Sequence, residues 1–146
     1  MLNVLFVCVH NSARSQIAEA LLNLLGKGKF YAESAGLEPG KLNPNVVAVM
    51  QESGIDISHH PTTSVFDRFK EGKRYDAIVT VCDASNSERC PIFPGKTKRI
   101  AWSFEDPASF TGSKEEIMEK TRKVRDEIKD KITAFIREAG NLSYWI

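Results

Sequence analysis

The chain has 146 residues, of which 42% are apolar and 27% are charged, and its formal net charge is +1. This length predicts one compact domain, residues 1–146, that can bury a core without metal or disulfide staples. The near-zero charge excludes a strong field for nucleic acid or a membrane surface, and no stretch approaches the ~20 apolar residues that span a bilayer. The first residues lack the features of a signal peptide. We therefore expect a cytoplasmic protein, with no nucleic-acid or membrane partner, whose 3 cysteines are mainly reduced.

The order of strand-like runs and helical stripes predicts an α/β fold. The predicted strands are residues 3–7, 30–34, 76–81 and 98–102. The predicted helices are residues 15–25, a second one that begins at Asn43-Pro44, and a third that begins at the capping box of residues 113–116 and ends at Gly140. Because crossover-length segments separate the strands, this order predicts a parallel sheet with helices on both faces, a three-layer α/β/α architecture.

The most informative segment lies between the first predicted strand and the first predicted helix. It reads Cys8-Val9-His10-Asn11-Ser12-Ala13-Arg14-Ser15. Such a loop can curl so that its backbone N–H groups converge on a tetrahedral oxyanion, with the positive end of the helix behind them. Arg14 supplies a planar fork for two oxygens of the anion.

The same surroundings act on the Cys8 sulfur. The helix N-terminus, the converging N–H groups and the guanidinium all favour thiolate over thiol, and the Ser15 hydroxyl can donate a hydrogen bond to it. The other interpretation is a structural cysteine followed by an unrelated arginine. The position at a strand-to-helix turn favours function, and we predict that Cys8 is a nucleophile and that residues 9–15 bind its substrate.

This loop resembles the active-site loop of the low-molecular-weight phosphotyrosine phosphatases and of the arsenate reductases that share their fold. The similarity covers nearly the whole chain and includes Ser34-Ala35-Gly36, Leu42-Asn43-Pro44 and Asp106-Pro107. It implies a four-stranded parallel sheet in the order 2-1-3-4, flanked by helices. It also implies that Asp106 protonates the departing oxygen, for which the carboxyl must be held close to the anion.

The other two cysteines bear on the choice between reductase and phosphatase, because both reactions begin with a thiolate attacking an oxyanion. Cys82 ends the third predicted strand. In the order 2-1-3-4 strands 1 and 3 are neighbours whose connections leave in opposite directions, so Cys8 and Cys82 should open into one crevice. Cys90 lies eight positions later, and Cys90-Pro91-Ile92 resembles the thioredoxin-coupled arsenate reductases.

What this resemblance implies is a disulfide relay that reduces arsenate. Cys8 attacks arsenate, Cys82 attacks the Cys8 sulfur and releases arsenite, and Cys90 then moves the disulfide to Cys82–Cys90, where thioredoxin reduces it. Reduction of arsenate to arsenite takes two electrons, which a dithiol supplies when it becomes a disulfide. The alternative is that Cys82 and Cys90 are merely a core cysteine and a loop cysteine.

Two further functions remain as alternatives. A low-molecular-weight protein tyrosine phosphatase would carry tyrosines just after Asp-Pro to line an aromatic slot, whereas this chain has Ala108-Ser109-Phe110. A non-catalytic reader of anions or phosphopeptides would not need Cys8, Arg14 and Asp106 together. We therefore favour an arsenate reductase of arsenical resistance, with weak phosphatase activity as a side reaction.

No cofactor is predicted, and the metal alternatives are incomplete. A zinc site built from Cys82, Cys90 and His59-His60 lacks the spacing of a cysteine ligand pair. Some members of the resembled family bind potassium near the loop. Asn11, Glu19 and Ser34 match that site, but the expected aspartate aligns with Ser64. His59-His60 is typical of a surface turn before a proline, and His10, where many of these reductases have glycine, has no assigned role.

Overall fold

The computed structural model describes residues 1–81, 93 and 95–145 of the chain. Its centre is a four-stranded sheet in the order β2-β1-β3-β4, and every neighbouring pair of strands is parallel. The strands are β1 (Leu2–Cys8), β2 (Phe30–Gly36), β3 (Ala77–Thr80) and β4 (Lys98–Ala101). The predicted sheet order is confirmed, and the predicted strands differ from these bounds by one or two residues at their ends.

The helices are α1 (Arg14–Leu25), α2 (Pro44–Glu52), α3 (Val65–Lys70) and α4 (Lys114–Ala139), with 3-10 turns at Pro107–Ser109 and Leu142–Trp145. The three predicted helices are present. Asn43 caps α2 by accepting hydrogen bonds from two N–H groups of its first turn, and both bonds of the predicted capping box hold the start of α4. Sequence reasoning missed α3, because six residues are too few to show a helical stripe.

The core lies on both faces of β1, which explains its uninterrupted apolar sequence. Side chains of β1 alternate: Val4 and Phe6 pack into a large cluster with α1, α2 and α4, while Leu5 and Val7 pack into a smaller one. That smaller cluster contains the first residue of α3, Val65. Helices therefore cover both faces of the sheet, as the three-layer prediction requires.

This arrangement brings the carboxyl end of β1 to the middle of the sheet, between β2 and β3. The chain leaves β1 at Cys8 and enters α1 at Arg14, so the predicted anion-binding loop lies at the edge where parallel α/β sheets bind ligands. Within the described ranges, no helix combines the length and apolarity needed to cross a membrane.

Candidate active site

Cys8 is buried, with 3% of its surface exposed, and its sulfur has two close polar neighbours. The Sγ atom lies 2.9 Å from the Ser15 hydroxyl oxygen and accepts a hydrogen bond of 3.1 Å from the Asn11 backbone N–H. The Asn11 side-chain amide donates to the same Ser15 oxygen at 2.8 Å. Because the hydroxyl is an acceptor there, its own proton can be directed at Cys8. Two donors on one sulfur stabilise the thiolate.

Asn11 bends the loop so that this contact forms. It is the one non-glycine residue in the described part of the chain with a positive φ, of 54°, a left-handed conformation that asparagine tolerates better than most residues. Its side-chain oxygen accepts from the Thr63 N–H at 2.9 Å, and its carbonyl oxygen accepts from the Gln16 amide at 3.0 Å. The backbone that faces Cys8 is therefore held from behind by residues of two other segments.

The end of β2 packs directly on this loop. A Cβ atom at Gly36 would come within 2.8 Å of the Asn11 nitrogen and 2.9 Å of the Val9 oxygen. The Gly36 N–H in turn donates to the Thr63 oxygen at 2.7 Å. Gly36 entered the sequence argument only as part of the Ser-Ala-Gly resemblance, and close backbone approach is the physical reason for a glycine there.

Arg14 and Asp106 meet beside the loop. The Arg14 side chain is 7% exposed, and one of its nitrogens lies 3.5 Å from the Asp106 carboxylate. Another donates to the Phe104 carbonyl oxygen at 3.1 Å. The other carboxylate oxygen of Asp106 accepts from the Ala108 N–H at 3.0 Å. The structure thus brings together the predicted anion-binding cation and the predicted acid.

The remaining loop residues connect the site to neighbouring segments. The His10 imidazole lies 2.9 Å from the Glu38 carbonyl oxygen and is exposed to solvent, so it packs against the loop after β2. The Ser12 carbonyl accepts from the Asn43 N–H at 2.8 Å. Ala13 precedes α1 and makes no side-chain cap, which leaves the first N–H groups of α1 for an anion.

Cys82 and Cys90 lie outside the described residues. The chain reaches that segment through Val81, which is fully buried. The Val81 N–H donates a hydrogen bond of 2.9 Å to the Val7 carbonyl oxygen, so the residue that precedes Cys82 is hydrogen-bonded to the residue that precedes Cys8.

Behind the loop lies a polar cluster in which His60, which sequence reasoning places in a surface turn, joins Glu19 and Ser34 of the possible potassium site. The Glu19 carboxylate accepts from the Ser34 hydroxyl at 3.1 Å, and its other oxygen lies 3.2 Å from Nδ1 of His60. Burial raises the pKa of Glu19; burial, with a smaller contribution from His59, lowers the pKa of His60. His59 is exposed as a surface turn predicts, but His60 is half-buried against Glu19 and Gln16.

The predicted potassium ligands have partners within the protein. Glu19 is bonded to Ser34 and His60, the Asn11 side-chain oxygen is bonded to the Thr63 N–H, and the Ser64 hydroxyl caps α3 by accepting from the Phe66 N–H. These residues do not supply the full oxygen set that the resemblance implies, so the potassium alternative stays incomplete and we derive no step from it. Across residues 1–81, 93 and 95–145, no three His, Cys, Asp or Glu side chains group as metal ligands.

The fold and the loop together define a class of protein. A buried cysteine ends the central strand of a parallel sheet, two donors reach its sulfur, and an arginine and an aspartate pair beside it. This is the arrangement of α/β proteins that present a cysteine thiolate to a tetrahedral oxyanion, as phosphatases of this type do.

Comparison with known proteins identifies the family. The model of the family described as "Low molecular weight phosphotyrosine protein phosphatase" matches residues 3–142, and the chain belongs to this family. Over 138 residues it is 41% identical to a protein of Shouchella clausii named "Arsenate reductase", a match that covers 90% of this chain and 93% of that protein. The resemblance seen in the loop is confirmed.

Solved structures agree. A structure titled "An arsenate reductase in oxidized state" superposes with a TM-score of 0.78 at 30% identity and covers 94% of this chain and 98% of its own. A thioredoxin-dependent arsenate reductase of Corynebacterium glutamicum gives a TM-score of 0.62 at 29% identity, covering 92% of this chain and 63% of that one.

Proposed function

We propose that the protein reduces arsenate to arsenite in the cytoplasm, through Cys8, Cys82 and Cys90, and that thioredoxin restores it. The observation that carries this proposal is the hydrogen bond between the Val81 N–H and the Val7 oxygen. Val81 precedes Cys82 and Val7 precedes Cys8 in the sequence, so the two chain segments that lead to these cysteines are neighbours at one sheet edge. The names of the similar proteins support the same substrate.

The first step is substitution at arsenic. The Cys8 thiolate, stabilised by the Asn11 N–H and the Ser15 hydroxyl, attacks arsenate and forms a sulfur–arsenic bond. One arsenate oxygen leaves as water, with a proton from Asp106. The Arg14 guanidinium is held by its hydrogen bond to the Phe104 carbonyl oxygen. It binds two of the remaining oxygens of the arsenate. Arsenic is still in the +5 state at this point.

The second step transfers two electrons. The Cys82 thiolate attacks the Cys8 sulfur, a sulfur–sulfur bond forms, and the electron pair of the sulfur–arsenic bond goes to arsenic, which leaves as arsenite. Cys90 then attacks Cys82, which frees the Cys8 thiolate and leaves a Cys82–Cys90 disulfide. The dithiol of thioredoxin reduces that disulfide and becomes a disulfide itself, so the cycle balances.

Phosphatase activity is the second candidate, because phosphoryl transfer needs only Cys8, Arg14 and Asp106, and the last two form an ion pair here. The residues that follow Asp106 argue against phosphatase activity as the main function. Ala108 is the central residue of a 3-10 turn, and Phe110 packs against the core cluster. Neither is an exposed aromatic side chain that could line a slot for a phosphotyrosine ring. A reader of anions would have no use for the donors on the Cys8 sulfur.

The deciding experiment is arsenite formation from arsenate with thioredoxin, thioredoxin reductase and NADPH. We expect repeated turnover, coupled to NADPH oxidation, that needs all three components. Cys8→Ser should form no arsenite, because a serine hydroxyl does not ionise near neutral pH and cannot form the disulfide. Turnover by Cys8→Ser at the wild-type rate would rule out the mechanism. Hydrolysis of aryl phosphates without any arsenate reduction would favour the phosphatase.

A further inference from the structure

Gln16, in the first turn of α1, is a buried polar residue whose amide nitrogen and amide oxygen both have hydrogen-bond partners. It is 1% exposed. Its amide nitrogen donates to the Asn11 carbonyl oxygen and to the Pro61 carbonyl oxygen, each at 3.0 Å, and its amide oxygen lies 3.0 Å from Nδ1 of His60. A glutamine amide has two N–H donors and one oxygen, and these three contacts use them.

The contacts leave the amide one orientation. If the nitrogen and oxygen of Gln16 exchanged places, the oxygen would face two carbonyl oxygens, which cannot donate. With the nitrogen toward the carbonyls, the oxygen faces His60, whose Nδ1 must then carry a proton. That proton is shared with the Glu19 carboxylate at 3.2 Å. The two carbonyl oxygens therefore fix the orientation of the Gln16 amide, and His60 supplies the donor that its oxygen needs in that orientation.

The Asn11 carbonyl that Gln16 holds belongs to the residue whose N–H contacts Cys8. Asn11 has a left-handed backbone, which non-glycine residues keep only where the surroundings hold it. The Thr63 N–H and the Ser15 hydroxyl hold its side chain, and among the described contacts Gln16 is the side chain that holds its carbonyl. Without that donor, a buried carbonyl would lack its partner and the peptide would rotate to find another.

From this geometry we propose that Gln16 is a positioning residue for Cys8: it holds the Asn11 carbonyl so that the Asn11 N–H points at the Cys8 sulfur, and His60 holds Gln16 in place by donating to its amide oxygen. Neither Gln16 nor His60 touches the substrate. The proposal deepens the proposed function and rests on Cys8 being its nucleophile, but its first test needs no arsenate.

The test compares Gln16→Met with the wild type. Methionine has a similar length and no donor. The first readout is the ultraviolet absorbance of the Cys8 thiolate as a function of pH, taken as the difference from the same protein carrying Cys8→Ser. In Gln16→Met we expect the pH at which half of this absorbance has developed to rise by about one unit, which is a tenfold change in the thiol–thiolate equilibrium. The second readout is arsenate reduction, where kcat should fall roughly tenfold while KM changes less than about twofold.

Controls separate positioning from a general loss of stability. Gln51→Met makes the same substitution at an exposed site of α2 and should match the wild type. His60→Phe removes the donor to Gln16 and should move both readouts in the same direction, whereas His60→Gln keeps a donor and should restore them. In the Gln16→Met protein, His60→Phe should add no further change, because both act through one contact.

Each outcome has a defined consequence. A Gln16→Met protein that folds but keeps the thiolate signal and kcat of the wild type would overturn the proposal. If Gln16→Met does not fold, His60→Phe decides, and wild-type values there would overturn it equally. If the wild-type protein does not reduce arsenate but the thiolate signal of Gln16→Met moves as expected, the positioning role stands and the proposed function fails.

Discussion

The guanidinium of Arg14 lies 3.5 Å from the carboxylate of Asp106, and the two side chains differ in exposure, 7% against 39%. Arg14 begins α1 and Asp106 follows β4, so two segments that are distant in the sequence meet at the mouth of the loop. The ion pair neutralises Arg14 and can exchange for contacts with anion oxygens. It also keeps the proposed acid next to the bound anion.

Asp106→Asn tests the acid. Asparagine can still accept the Ala108 N–H but has no proton to give to the leaving oxygen, so we expect kcat for arsenate reduction to fall by about a hundredfold. Steady-state kinetics measure this. Glu105→Gln removes an exposed carboxylate one residue earlier and should leave kcat unchanged. Equal activity in the two variants would remove Asp106 from the mechanism.

Arg14→Lys tests the anion fork. A lysine ammonium keeps the charge but cannot bind two oxygens side by side, so kcat/KM should fall by at least about tenfold. Arg137→Lys, an exposed site on α4, is the matched control. A loss of less than about threefold, ~0.7 kcal/mol, would show that Arg14 does not bind the substrate.

Gly36→Ala tests the packing of β2 on the loop. The added methyl group would sit 2.8 Å from the Asn11 nitrogen, so the loop must move. We expect a loss of about 1–3 kcal/mol in the free energy of unfolding, measured by chemical denaturation, and a lower kcat. Gly40→Ala adds the same methyl group 3.5 Å from His10, an ordinary contact, and should cost much less. Similar losses in both variants would contradict the close approach.

Cys82→Ser and Cys90→Ser test the relay at different stages. Without Cys82 the internal dithiol cannot form, so arsenite should not leave unless a small thiol is added. Without Cys90 one round should still occur and leave a Cys8–Cys82 disulfide, visible by mass spectrometry of peptides. Hydrolysis of a small aryl phosphate should survive both changes, since it needs no electrons. Repeated arsenate reduction by both variants with thioredoxin alone would disprove the three-cysteine relay.

Glu52→Gln tests the ion pairs that join α2 to α4. Glu52 accepts hydrogen bonds from Arg122 at 2.8 Å and Arg125 at 3.2 Å, and the Arg122 bond is the main reason why the pKa of Glu52 lies below its ordinary value of 4.5. A lowered carboxyl pKa adds stability above the ordinary value, and this stability is lost as the pH falls through the lowered one.

Denaturation at neutral and acid pH should therefore show Glu52→Gln less stable than the wild type near neutrality, with the difference shrinking in acid. High salt should shrink it too, because the pair is exposed. Glu127→Gln, also exposed on α4, should show no such dependence. A gap between wild type and Glu52→Gln that persists in acid would mean that the charge on Glu52 is not its source.

Local signals in the sequence determined the order of strands and helices and the position of the loop. The capping box at Ser113 and the Asn43-Pro44 helix start involve residues next to each other in the chain, and such contacts depend on local chemistry alone. The loop after Cys8 is likewise a local strand-to-helix turn, whose backbone N–H groups can bind an anion without help from distant residues. The sheet order required the family resemblance, because several orders satisfy the same string of elements.

Tertiary structure alone decided which distant segments support the loop. Thr63 holds the Asn11 side chain, Gly36 packs on its backbone, and His60 contacts the amide oxygen of Gln16. No periodicity or spacing joins these residues to the loop, since the connection before α3, the end of β2 and the start of α1 meet only when the sheet and helices have packed. A histidine next to a proline is typical of a surface turn. His60 is instead half-buried, because α1 places the Glu19 carboxylate and the Gln16 amide beside it.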